Sequence, residues 1–519
     1  MNQCSSPVVR AAKLFLGVVC LSVVGILVPG GCGSGANDRA ERSYDKGDSP
    51  AATETVSLRV MSFNIEWGGT HVRFASISEA IRAADADIVG IQEAEGNLAR
   101  LAGDLGWYYN LRNYVISRYP LIDPADAGGK YVLIEVSPGK VIAMGNVHLP
   151  SSPSGAAWLR AGRTAAEVVA MERRIRLPKI EPFIEELAGF AGDGMPVILS
   201  GDFNTPSHQD WTEATIGRFP HRDHAVIWPV TAAVAAAGFR DSFRYIHQNP
   251  VTHPGFTWWA ARPAIPEYNP TDESRRSRID FLWYDGPAKV SGSRIVGEAD
   301  TPEVTVSVTP WPSDHRAVVS DLDVIPTPMP LVVAAERRVH TVGKPLRFFY
   351  RNRTPRGSLV VERHSGGEIT TERRIGTASD LGTLQLPDAF LHPGRYQVLL
   401  QDDAGGEVSR NDFWVVAPDA KPSIEIAGQR FANGEPLPLA WQNAPGNRHD
   451  WVGVFEATGP DERRFLTWGY VDARSSGEMQ LSSATAEEGW PLPPGRYVVR
   501  LLLDDGFGLL AESAPFFVD

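Results

Sequence analysis

Seven short apolar runs between Leu58 and Val324 set the main constraint on how this chain folds. They are "LRVMSFNI", "DIVGIQEA", "YVLIEVS", "KVIAMGNVHL", "MPVILSGDFN", "RIDFLWYD" and "RAVVSDLDV". Each is strand-sized, and several carry three or more apolar residues in succession, as strands covered on both faces do. Between them, "FASISEAIRAADA" and "RTAAEVVAMERRIRLPKIEPFIEELAGF" carry the helical period, with Pro178 and Pro182 expected to divide the second. Strands alternating with helices predict an α/β domain over residues 57–325.

"IPTPMP" (Ile325–Pro330) reads as a boundary, and the chain beyond it has little helical periodicity and many turn signals. That region also repeats itself. "LHPGRYQVLLQDDAGGEVSRNDFWV" (Leu391–Val415) matches "LPPGRYVVRLLLDDGFGLLAESAPFFV" (Leu492–Val518), with Gly394 equivalent to Gly495. That pattern predicts two tandem all-β sandwiches, over 326–418 and 419–519, each ending in a turn, a strand, an Asp-Asp turn and a final strand.

The N-terminus reads as a targeting segment. Arg10 and Lys13 flank the apolar run Leu14–Val28, which is short for a membrane span and right for a signal peptide over residues 1–31. Cys32 follows "PGG", as in a lipoprotein signal whose cysteine is lipidated, although Pro29 departs from that pattern. The expected product is exported and anchored to the cell envelope at Cys32; a plain secretory signal is the alternative. Residues 32–56 are small, polar and charged, and read as a flexible tether. Cys4 and Cys20 lie inside the removed segment, so one cysteine remains and cysteine catalysis or a cysteine zinc site is excluded. A net charge of −12 argues against gripping long nucleic acid by bulk electrostatics.

The apolar runs share a second feature: polar residues sit at their ends. Asn64, Glu66, Glu93, His148, Asp202 and Asn204 close strand-like runs, whereas Asp314 and His315 open one. An antiparallel strand would bring its beginning to the rim where parallel strands end. Asp280 interrupts "RIDFLWY" and needs a partner there, for which a histidine is the natural candidate. Four or five carboxylates with one or two amides make a hard oxygen site suited to Mg²⁺ or Mn²⁺, and such an ion is the usual companion of phosphate. Asp202 and Asn204 are two apart, which on a continuous strand would put both on one face.

With "SFNIE", "IQE", "SRYPL", "HL", "GDFN", "RIDFLW" and "SDH" in order, the stretch Leu58–Val324 resembles the endonuclease/exonuclease/phosphatase superfamily. The resemblance implies a four-layer α/β sandwich of two packed sheets flanked by helices, and a Mg²⁺-dependent hydrolase of phosphate esters. It implies Glu93 as the principal metal ligand, with Asn64 and Glu66 lining the metal pocket and Asp314 at a second metal position. Asp202 would orient and deprotonate the attacking water, Asn204 would bond the scissile phosphate, and His315, held by Asp280, would stabilise the developing charge. His148 would lie against the phosphate or leaving group.

Other residues allow two readings. Arg160 and Arg163 would bind a second phosphate or a nucleic-acid backbone, or belong to a solvated helix face; Arg278 would face the cleft; Trp258 would wall the pocket or simply pack. "NRHDWVGVF" (Asn447–Phe455) resembles SKICH-type modules, which would bind a lipid or surface ligand, and deleting both sandwiches is expected to leave turnover of a soluble substrate largely intact. The substrate class stays open among nucleic acid, phospholipid or phosphoinositide, and a small ester. A non-catalytic surface-binding lipoprotein is the alternative outside enzymology.

Overall fold

A computed structural model describes residues 54–220, 222–262, 264–265, 275–365, 367–386, 392–458 and 463–519. The described residues all fall in one compact unit. The expected signal segment and Cys32 lie outside the described residues.

Two seven-stranded sheets form the centre of the α/β region. Six strands matter for the site: β1 (Val56–Asn64), β2 (Ile88–Gln92), β3 (Lys140–His148), β4 (Val197–Asp202), β5 (Asp280–Asp285) and β6 (Ala317–Val324). In the first sheet, β1 runs parallel to β2, with Asn64 opposite Gln92, and antiparallel to β6, with Ser62 opposite Val318. In the second, β3 runs parallel to β4, with His148 opposite Asp202, and β5 runs antiparallel, with Asp280 opposite Asp202. The ends of β1 to β4 and the beginnings of β5 and β6 therefore share one rim.

Alternation along the strands builds the layers. Val60, Ile88, Met144, Ile198, Leu282 and Val318 pack between the sheets. Their neighbours Met61, Val89 and Val319 face outward and pack in the same core as residues of the helices Ala75–Ala83 and Leu98–Leu105. Ala143, Val197, Leu199 and Phe281 likewise share a core with residues of the helices Leu177–Gly192 and Pro229–Ala236. The result is the four-layer α/β sandwich. The long helical stretch breaks at Arg176 between Ala165–Ile175 and Leu177–Gly192. Pro178 sits in the first turn of the second helix, where its missing N–H costs nothing, while Pro182 is accommodated inside that helix and does not divide it.

Near the rim the sheets approach through a buried polar seam. Gln92 donates to Asn146 Oδ1 at 2.7 Å, Ser200 donates to the same oxygen at 2.9 Å, and the Asn146 amide donates to Ile91 O at 2.8 Å. A side chain at Gly90 would collide with Ser200 and Asn146, so the seam needs glycine there.

Both β repeats fold as sandwiches. The first pairs a three-stranded with a five-stranded sheet between Val332 and Val416, and the second a three-stranded with a six-stranded sheet between Ser423 and Val518. Their kinship shows in a shared corner: Tyr396 donates to His392 O at 2.8 Å, and Tyr497 to Pro493 O at 2.7 Å. The first is continuous with the second central sheet, since Thr327–Pro328 pairs with the first residues of β3 and Val332, Ala334 and Phe349 join the outer core.

Candidate active site

The rim gathers Asn64, Glu93, His148, Asp202, Asn204, Asp280, Asp314 and His315. Glu93 follows β2 in the left-handed region at φ 54°, which turns its side chain off the strand path. Its Oε1 accepts from the Asn64 amide at 2.9 Å and its Oε2 from Trp67 N–H at 3.1 Å. Burial opposes ionisation of Glu93, but His148 and His315 and those two hydrogen bonds together hold its carboxyl below the usual range.

Asp202 is fully buried at the end of β4. Its Oδ2 accepts from Asn64 at 3.1 Å and lies 3.7 Å from both His148 Nε2 and His315 Nε2. Burial and the neighbouring Asp280 push its carboxyl up to about 6, against the pull of His315 and His148. Asn204 does not extend the strand. It sits at φ 49°, its N–H donates to Asp202 Oδ1 at 2.8 Å, and its amide donates to Leu149 O at 2.9 Å and to Asp202 Oδ2 at 3.3 Å. The two-residue spacing thus acts through a turn that closes on the aspartate, and not through strand periodicity. Gly201 precedes them at φ 148°, where a Cβ would strike Val147 O.

Asp280 and His315 form a buried pair. His315 Nδ1–H donates to the Asp280 oxygens at 2.9 and 3.2 Å, leaving Nε2 toward Asp202 and 3.9 Å from Asp314 Oδ1. Burial disfavours the imidazolium, yet Asp280, Asp202 and Asp314 outweigh it and raise its pKa well above the ordinary value. Asp314 is fixed by Trp258, whose indole N–H donates to it at 3.2 Å and whose backbone bridges to His315.

Oxygen and nitrogen atoms of Glu93, Asp202 and His315 lie within 4.8 Å of one another, a grouping that can hold a metal ion. Two carboxylates at one rim, one of them held ionised, suit a divalent cation. The other expected ligands have different partners. Asn64 turns its amide NH₂ to Glu93 and Asp202 and its oxygen to Glu66 N–H at 3.0 Å, so it organises the carboxylates as placed. Glu66 pairs with buried Arg262, lies 3.3 Å from His71 Nδ1, and accepts from Asp314 N–H at 3.0 Å. Burial and Asp314 raise its carboxyl, against Arg262 and His71. It braces the Asp314–His315 turn.

One arginine expectation is corrected, and one of two readings is met. Arg278 does not face the cleft. It is buried, with Nε 2.8 Å from Asp210 and Nη1 2.7 Å from Asp241, and Arg244 shares Asp210 at 2.6 Å. An arginine beside a central strand finds carboxylates inside the fold because an unpaired buried charge is costly. Arg163 lies at the surface, paired with Glu167 at 2.9 Å and set over the Trp158 ring. Arg160 ends the short helix Gly155–Arg160, half-buried.

Sequence reasoning did not single out Arg262, Asn146 or Asp210. Asn146 interrupts an apolar run in "MGNVH", the same signal that marked His148. Arg262 and Asp210 stand in loops without periodicity, and only the fold brings them to their partners.

A sequence profile described as the Endonuclease/Exonuclease/phosphatase family matches residues 61–315. An uncharacterized protein of Caenorhabditis elegans is 30% identical over 300 residues, spanning 53% of this chain and 93% of that protein. The chain belongs to the endonuclease/exonuclease/phosphatase family. Members of this family are hydrolases acting on phosphate esters. Among solved structures, an endonuclease/exonuclease/phosphatase from Beutenbergia cavernae is 15% identical, covering 69% of this chain and 99% of its own, at a TM-score of 0.32. A mannosyl-6-phosphatase of Bacteroides thetaiotaomicron is also 15% identical, covering 51% and 99%, at 0.29.

Proposed function

We propose that this endonuclease/exonuclease/phosphatase family member is an exported, divalent-metal-dependent phosphoesterase that hydrolyses its substrate by in-line attack of water. The observation that carries the reading is the meeting of Glu93, Asp202 and His315 within 4.8 Å, with His315 clamped by Asp280. Asp202, poised at about 6, accepts the water's proton near neutrality. Its orientation is set by Asn64 and Asn204. The His315 imidazolium presents its Nε2–H to a phosphoryl oxygen, and Asp280 fixes that ring and its charge. His148, partly exposed beside the same carboxylates, is placed for the leaving-group side. Mg²⁺ or Mn²⁺ held at Glu93 would supply charge stabilisation at the leaving oxygen.

The signal-like segment and Cys32 support export and membrane attachment through a lipid. Among the described residues no helix is long and apolar enough to cross a membrane. The SKICH-like stretch of the second sandwich supports a lipid or surface ligand. Of Arg160 and Arg163, the basic residues that would favour nucleic acid, Arg163 pairs with Glu167 at the surface.

The test is hydrolysis with Mg²⁺, with and without chelator, of DNA, RNA, sphingomyelin, phosphoinositides and a generic diester. Wild-type protein is expected to act on at least one of these, to stop with chelator, and to lose activity in Asp202→Ala. Equal rates in wild type and Asp202→Ala would remove the assignment.

A further inference from the structure

The segment that leaves β2 carries Glu93 and runs on through Ala94, Glu95, Gly96 and Asn97. Glu93, Glu95 and Gly96 all have positive φ, at 54°, 42° and 81°. Two of them are not glycine, and such a backbone persists only where its surroundings hold it. The α/β region supplies part of that hold: Gly68 N–H donates to Glu93 O at 2.8 Å and Asn97 donates to Gly68 O at 3.0 Å.

The rest comes from the far end of the sequence. Gly96 N–H donates to Asp504 Oδ2 at 2.6 Å, and a Cβ on Gly96 would lie 2.8 Å from the Leu503 side chain. The other Asp504 oxygen accepts from the buried Tyr114 hydroxyl, which in turn accepts His449 N–H at 3.1 Å. Asp504 is buried and is itself fixed by its N–H donating to Asp450 Oδ1 at 3.2 Å. His449 stacks on Tyr114, and Arg448 donates to Gly129 O at 2.7 Å, so the second sandwich is latched to the α/β region on both sides of this turn.

We propose that the second β-sandwich is part of the catalytic apparatus, with Asp504 as the positioning residue that holds the Glu93 segment in its metal-binding shape. This deepens the phosphoesterase reading and rests on it for the role of Glu93. It replaces the expectation that both sandwiches are dispensable for turnover of a soluble substrate. Asp504 touches neither substrate nor metal; it acts through Gly96.

The experiment compares full-length wild type with Asp504→Ala, Asp504→Asn and, as the equivalent position of the first repeat, Asp402→Ala. Mn²⁺ affinity is measured by calorimetric titration, and hydrogen exchange is followed in the peptide spanning 93–97. Asp504→Ala is expected to exchange faster there and to bind Mn²⁺ about tenfold more weakly, the scale for groups one step behind a ligand. Asp504→Asn, which keeps an oxygen for Gly96 N–H, is expected to restore both, and Asp402→Ala to change neither. If Asp504→Ala does not fold, Leu503→Ala, which uncovers Gly96, is expected to shift both in the same direction. Wild-type Mn²⁺ affinity in a folded Asp504→Ala protein, or failure of asparagine to rescue, would overturn the proposal. Should wild type hydrolyse no phosphoester while the exchange and Mn²⁺ shifts appear as stated, the functional reading falls and the positioning role stands.

Discussion

The two Asp-Asp turns of the β repeats begin from the same sequence signal and end in different environments. In the first, Asp402 folds back on its own loop, accepting from Ala404 N–H at 3.1 Å and Gly406 N–H at 2.7 Å, and residues 403–407 are exposed. In the second, Asp504 and Asp505 both take positive φ, at 47° and 60°. The Asp504 side chain is then free of its own turn and points into the α/β region. Asp505 stays local, accepting from Tyr470 at 2.6 Å and lying 3.1 Å from His449. The first turn serves its own hairpin, whereas the second has become a joint between domains. Duplication therefore supplies a part, and one change in turn geometry gives that part a new contact.

The largest expected effects lie in the rim itself and set the scale for that comparison. His315→Ala and Glu93→Ala should each lower turnover at least about a hundredfold, the loss typical of one preorganised charge-stabilising group; near wild-type rates in either would contradict their roles. A smaller effect is expected from removing the first aspartate of each turn. Asp504→Ala should lower turnover about tenfold, while Asp402→Ala should leave it unchanged. Equal loss from both would mean that each acts only through folding.

The finest distinction is in pH. Burial raises the Asp504 carboxyl to about 7, above its unfolded value, with Asp450 and Asp505 adding to the rise against its hydrogen bonds. A carboxyl raised on folding favours the folded state while protonated. That contribution is full at acid pH and is lost as pH climbs through about 7. Thermal melts should therefore show wild type losing stability from about pH 4, the ordinary carboxyl range, up to about 7, more than Asp504→Asn does. Turnover has the opposite slope at its acid side. Asp202 must be ionised to accept a proton, so the rate should rise with pH through about 6.

Much of the α/β region was legible because its signals are local. Asn64, Glu93, His148 and Asp202 stood out as polar ends of apolar runs, and strand direction alone predicted that Asp314 and His315 would approach from the opposite sense. The same reasoning misplaced Arg278, since two positions from Asp280 says nothing about the pair of aspartates waiting in other loops. It also missed the Asn204 turn, because a positive φ breaks the alternation on which the spacing argument depends.

By itself the sequence determined the alternating α/β plan, the repeated sandwiches and the chemical types gathered at the rim, because periodicity and residue type act over a few neighbours. Tertiary structure decided which polar groups pair with which. It gave Glu66 to Arg262 and Arg278 to Asp210, and it brought Asp504 against Gly96 across 408 positions. Those choices depend on desolvation and on distances of a few ångströms between segments whose separation along the chain carries no signal.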